Sequence, residues 1–109
     1  MNAEDNHIVL KLKARIAAAF PAELCRLVVF GSRARGDATA DSDLDVLALV
    51  RRCDPETEKR LDDIAYSVMW DHDFRPIISL KVFSESQFMT ALQNGFSFYR
   101  HVMQEGVAV

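Results

Sequence analysis

Two runs of β-forming apolar residues, Leu24–Phe30 and Asp43–Val50, stand close together and are joined by a polar segment, residues 31–42. The first, Leu-Cys-Arg-Leu-Val-Val-Phe, stops abruptly at Gly31, as a buried strand does. The second opens with two alternating carboxylates, Asp43 and Asp45, and then turns wholly apolar. Two such runs predict neighbouring strands whose connection and entrance are rich in polar groups.

The flanking segments predict helices. Between Asn6 and Phe20, Ile8, Val9, Leu12, Ile16, Ala17 and Phe20 recur at helical spacing, and Pro21 stops the run. Asp54-Pro55 places an N-cap before a proline at the first helical position, and Leu61, Ile64, Ala65, Val68 and Met69 then form one stripe. Arg75–Phe83 predicts a third strand entered through Pro76. Ser84 and Gln87 fit a capping box, with Phe83 and Phe88 at the positions of a hydrophobic staple. A last helix is expected from about Ser97 to Glu105, ended by Gly106. The order α-β-β-α-β-α-α predicts an α/β fold of the α+β kind, with a short mixed sheet of about three strands packed against helices.

Size and charge narrow the function. With 109 residues, the chain reads as a single domain spanning 1–109, with no linker and no repeat. Its 13 basic and 16 acidic side chains give a net charge of −3, which argues against binding a nucleic-acid duplex through bulk electrostatics. A nucleotide carried with Mg²⁺ remains compatible. Cys25 and Cys53 are expected to pack as small apolar groups, and His7, His72 and His101 show no metal-ligand spacing with them. No apolar run reaches the length of a membrane helix, and the acidic start, Met1-Asn2-Ala3-Glu4-Asp5, is unlike a signal peptide. A reducing cytoplasmic setting is therefore expected. Trp70, Phe74, Phe83, Phe88, Phe96, Phe98 and Tyr99 read mostly as core or helix-packing aromatics, with Phe96–Tyr99 also a candidate partner surface.

Chemistry concentrates in residues 31–45. Gly31 follows a strand and permits a tight turn that a ligand can approach with no Cβ in the way. Ser32-Arg33-Ala34-Arg35 could open a helical turn whose N–H groups and hydroxyl would cradle phosphate. Asp43 and Asp45, two apart on a strand, point to one face roughly 6.6 Å apart and could ligate a hard cation or bridge a metal pair. An anion cradle beside cation ligands suits a metal–triphosphate. Two competing motifs fail on the same residues. The Gly31–Gly36 spacing of a P-loop is followed by Asp37 and Ala38 rather than Lys and Ser/Thr. The acidic alternation of a calcium loop finds Val46 where Gly is required and Arg52 where Glu is required.

The segment Gly31-Ser32-Arg33-Ala34-Arg35-Gly36, followed by Ser42-Asp43-Leu44-Asp45-Val46-Leu47, resembles the signature of the minimal nucleotidyltransferases, the small members of the DNA-polymerase-β-like superfamily. The resemblance covers element order along the chain and specific residues over about 28–50. It implies that an acceptor oxygen attacks the α-phosphorus of a nucleoside triphosphate. Asp43 and Asp45 would be catalytic and would hold two Mg²⁺. Gly31, Ser32, Arg33, Arg35, Gly36 and Ser42 would form the nucleotide site, with Arg33 or Arg35 offsetting triphosphate charge or Arg35 fixing the loop. The superfamily's third carboxylate is missing from the strand at Arg75–Phe83, where Ser79 is the central polar residue; Asp73 is the candidate substitute. Minimal members typically pair with an all-helical HEPN toxin. The resemblance therefore implies an antitoxin that transfers AMP from ATP to that partner, with the substrate-recognition part expected to be missing or in another polypeptide. Two other readings stand beside it. One is a nucleotide-binding module that neutralises its partner by occlusion. The other is a transferase acting on a small molecule such as an aminoglycoside, in a pocket built by a homo-oligomer.

Overall fold

The computed structural model describes residues 1–109. Helix α1 (Ala3–Ala19) begins earlier than its apolar stripe, because the Asn2 side chain accepts a hydrogen bond from the Asp5 backbone N–H at 2.7 Å and caps the first turn. Strand β1 (Leu24–Phe30) leads into a four-residue helix, α2 (Ser32–Arg35), then a loop and strand β2 (Leu44–Val50). Helix α3 (Pro55–Asp71) starts as expected, with the Asp54 carboxylate accepting from Thr57 N–H at 2.8 Å. Strand β3 (Ile78–Ser84), helices α4 (Glu85–Gln93) and α5 (Ser97–Glu105), and a two-residue strand β4 (Val107–Ala108) complete the chain.

The sheet has four strands in the order β3-β2-β1-β4, where three were expected. Strand β1 runs antiparallel to β2 and to β4, and β2 runs parallel to β3 across the α3 crossover. The extra strand is two residues long, too short to carry any periodicity, and exists because α5 ends beside β1. Gly106 ends α5 in extended backbone, and the position calls for glycine because a Cβ there would collide with the Val102 carbonyl and Val28 Cγ1.

Strand alternation sorts the core into two layers. On one face, Leu27, Val29, Val46, Ala48, Val50 and Ile78 pack against Ile8, Leu12 and Ile16 of α1 and Leu61, Ala65 and Val68 of α3. On the other, Val28, Leu47 and Leu49 pack against Phe88 of α4 and Val102 of α5, with Phe30, Phe83, Phe98 and Tyr99 at the margin. The central strand β2 is therefore buried throughout except at Asp45. Burying both faces explains its continuous apolar sequence.

Three side chains depart from expectation. Trp70 is 63% exposed, because it lies on the opposite side of α3 from the Leu61, Ala65 and Val68 stripe. Phe96 sits exposed at the start of α5. Cys25 lies on an exposed position of β1, whereas Cys53 packs at the edge of the α1/α3 layer. Strand β3 begins at Ile78 rather than Arg75, since residues 72–75 are taken up by turns that close α3. No helix is long and apolar enough to cross a membrane.

Candidate active site

Strand register brings the two ends of the 31–45 segment together. Phe30, the last residue of β1, pairs with Asp45, so Gly31 turns away directly beside the Asp45 side chain. Gly31 has φ 76° and ψ −161°, a region essentially reserved for glycine. A Cβ built on it would collide with the Asp45 carboxylate. The backbone turn and the carboxylate thus share one small space, with Ser32 opening α2 next to it. Asp43 is exposed just before β2, two residues from Asp45 and on the same face by strand alternation. Burial, and secondarily the charge of Asp43, push the Asp45 carboxyl above the ordinary aspartate range, while Lys81 and Arg35 pull it down. An ionised Asp45 therefore lacks full compensation within the protein, and a bound cation would supply it.

The remaining residues of the segment hold the loop. Arg33 donates from Nη1 to both Asp5 carboxylate oxygens, at 3.0 and 3.2 Å, from Nε to the Ser42 carbonyl at 2.8 Å, and from Nη2 to the Ala40 carbonyl at 3.3 Å. The side chains of this ion pair are only 9% and 4% exposed. Arg33 therefore clamps the loop between its two ends and ties it to α1. Arg35 is exposed and bridges Asp37 and Glu105, each at 3.3 Å, which links α2 to α5. The Ser42 hydroxyl accepts from Thr39 N–H at 3.0 Å and closes the turn before Asp43. Gly36 ends α2 in the left-handed conformation.

The third-carboxylate position is occupied otherwise. In the parallel β2–β3 register, Ser79 lies beside Asp45. Asp73 sits in a turn after α3, with its N–H on the Trp70 carbonyl, and it forms no metal-holding group with Asp43 and Asp45. No three His, Cys, Asp or Glu side chains converge as a metal site. Asp5, which anchors Arg33, was missed in the sequence. An acidic residue in a first helical turn reads as a favourable helix-end charge, and nothing local marks a partner 28 positions away.

A mixed sheet between helices, with a glycine-serine turn facing an Asp-x-Asp strand, defines the nucleotidyltransferase class of domain. The sequence profile of the nucleotidyltransferase domain matches residues 11–105, and the chain belongs to that family. It is 37% identical over 90 residues to a Methanocaldococcus jannaschii protein named "putative protein adenylyltransferase", an overlap of 80% of this chain and 90% of that one. Its fold is similar to the crystal structure of a "putative nucleotidyltransferase" from Sulfolobus solfataricus, with a TM-score of 0.56 and 19% identity, covering 94% of this chain and 76% of that one.

Proposed function

We propose that the protein transfers AMP from ATP, with Mg²⁺, to a hydroxyl of a partner protein. The observation that carries this reading is the Asp45 carboxylate lying against the Cβ-free Gly31 turn, which sets the proposed cation ligand directly beside the proposed phosphate-binding turn. Gly31 and Ser32 would hold the β- and γ-phosphates by backbone N–H groups and hydroxyl. Asp43 and Asp45 would hold the two Mg²⁺ ions. Bound Mg²⁺ would polarise the α-phosphate and lower the pKa of the acceptor hydroxyl. The acceptor oxygen forms a bond to the α-phosphorus, the bond to the bridging oxygen breaks, and pyrophosphate leaves. The acceptor's proton passes to water, since no third carboxylate stands beside the pair. Arg33 and Ser42 keep the loop in register and present Asp43, while Arg35 can lend charge to the triphosphate from the protein surface.

A protein acceptor is supported by the name of the Methanocaldococcus jannaschii relative, which aligns over most of its length. A HEPN toxin as that acceptor, and an antitoxin role, rest on the family resemblance alone. The presence of Ser79 beside Asp45 favours a second reading, in which the domain binds nucleotide and occludes its partner without turnover. Incubation with ATP labelled at the α-phosphate, Mg²⁺ and the partner separates the two. Label on the partner that disappears in the Asp43→Asn/Asp45→Asn double variant is the expected result. An unlabelled partner still neutralised by the double variant establishes occlusion.

A further inference from the structure

A cavity of about 180 Å³ opens between the Gly31 turn and α5. Phe30, Phe98 and His101 form its ring-bearing wall, and Arg35 and Glu105 its polar rim. Gly31 lines this cavity and also lies against Asp45, so the cavity adjoins the proposed phosphate turn. The wall is firm where it meets the site. Phe30 and Phe98 pack edge to face, with ring centroids 5.7 Å apart, and Phe98 packs in turn on Tyr99 at 5.3 Å. His101 stands exposed one turn further along α5. The Arg35–Glu105 ion pair spans the rim and joins the phosphate turn to the helix that carries the rings.

We infer that this cavity takes the nucleoside half of the nucleotide. The chemistry fits a flat, neutral ring with a hydroxylated sugar. Aromatic surface and an imidazole offer stacking, and the Glu105 carboxylate accepts hydrogen bonds from ribose hydroxyls. The rim carries one positive and one negative side chain, which disfavours a second anion. Its position fits as well, since Gly31 of the proposed phosphate turn lines the cavity. Phe98, His101 and Glu105 thereby become binding residues of the same site, and α5 becomes part of the active centre rather than a cover for the sheet.

This inference rests on the proposed phosphate site, and the test separates the two. Binding of inorganic tripolyphosphate and of ATP is measured by calorimetry with Mg²⁺, alongside the ring resonances of His101 by NMR. In the unaltered protein ATP is expected to bind about tenfold tighter than tripolyphosphate, the worth of one stacked base, and only ATP should shift the His101 resonances. His101→Ala and Phe98→Leu should bring ATP to the tripolyphosphate level and leave tripolyphosphate unchanged. Should Phe98→Leu unfold, the exposed His101 variant and the NMR shift decide. Equal affinities for the two ligands, or an ATP preference that survives both variants, overturn the nucleoside cavity and leave the phosphate site standing. ATP binding that shifts His101 while tripolyphosphate fails to bind removes the phosphate site and keeps the cavity. No binding of either ligand removes both.

Discussion

Gly31 and Asp45 act on each other, and substitutions at the two should therefore fail in different ways. Gly31→Ala imposes a Cβ on backbone with φ 76° and on the Asp45 carboxylate at once. Backbone strain of that kind costs about 1–3 kcal/mol. The variant should melt several degrees lower and lose nucleotide binding, which thermal denaturation with and without Mg·ATP would read. Asp45→Asn should do the opposite to stability. Burial raises the folded pKa of this carboxyl, so folding penalises its ionised form. That cost is absent below the ordinary aspartate pKa of about 4, develops as pH rises through the raised value, and is fully present at neutral pH. Removing the charge should raise the neutral-pH Tm, with the gain vanishing below about pH 4, while transfer activity is lost. A variant that melts lower than the unaltered protein at pH 7 would show that Asp45 is stabilised by groups other than a cation. Arg33 belongs to the same scale. Arg33→Ala leaves Asp5 buried without its partner and should cost about 3–5 kcal/mol, seen as a lower urea midpoint.

At the level of elements, legibility in the sequence followed from how each element is stabilised. Strands β1 and β2 and helix α3 were readable because each buries a continuous surface, and burial writes a period into the sequence. The cap of α4 was readable for a local reason. Ser84 Oγ accepts from Gln87 N–H at 3.2 Å, and the Phe83 and Phe88 rings lie 6.3 Å apart across it, as the capping and staple positions require. Ser84→Ala should therefore cost about 1 kcal/mol, measurable by chemical denaturation, with no change in nucleotide affinity. Strand β4 escaped because its two residues owe their place to α5 and β1. The Arg33 clamp escaped because its partners Asp5, Ala40 and Ser42 are gathered by tertiary structure, and the motif residue alone suggests a ligand for phosphate. The same distinction holds in the site. Gly31 and Asp45 lie on the two halves of one unit of paired strands and the segment joining them, so their meeting was written locally. Asp73 is placed by the turns that close α3, which no local pattern reports.

Across the whole molecule, the candidate site is where the layers are tied together. Asp45 comes from the central strand, the Gly31 turn from its neighbour, the Arg33 clamp reaches α1, and Arg35 reaches α5. A ligand held there contacts parts that separate on unfolding, so its binding free energy adds to global stability. Mg·ATP at about a hundred times its dissociation constant should raise Tm by on the order of 10 °C in a domain this size. ATP with a chelator should give a much smaller shift, because the negative Asp43 and Asp45 would then face the triphosphate unscreened. The Asp43→Asn/Asp45→Asn variant should abolish that difference. With the repulsion gone, ATP would bind similarly with or without Mg²⁺, and the chelator would cease to matter. A melting curve that responds to ATP and chelator identically in both proteins would mean that the carboxylates neither repel the triphosphate nor bind its cation, and the nucleotide would have to be sought elsewhere on the fold.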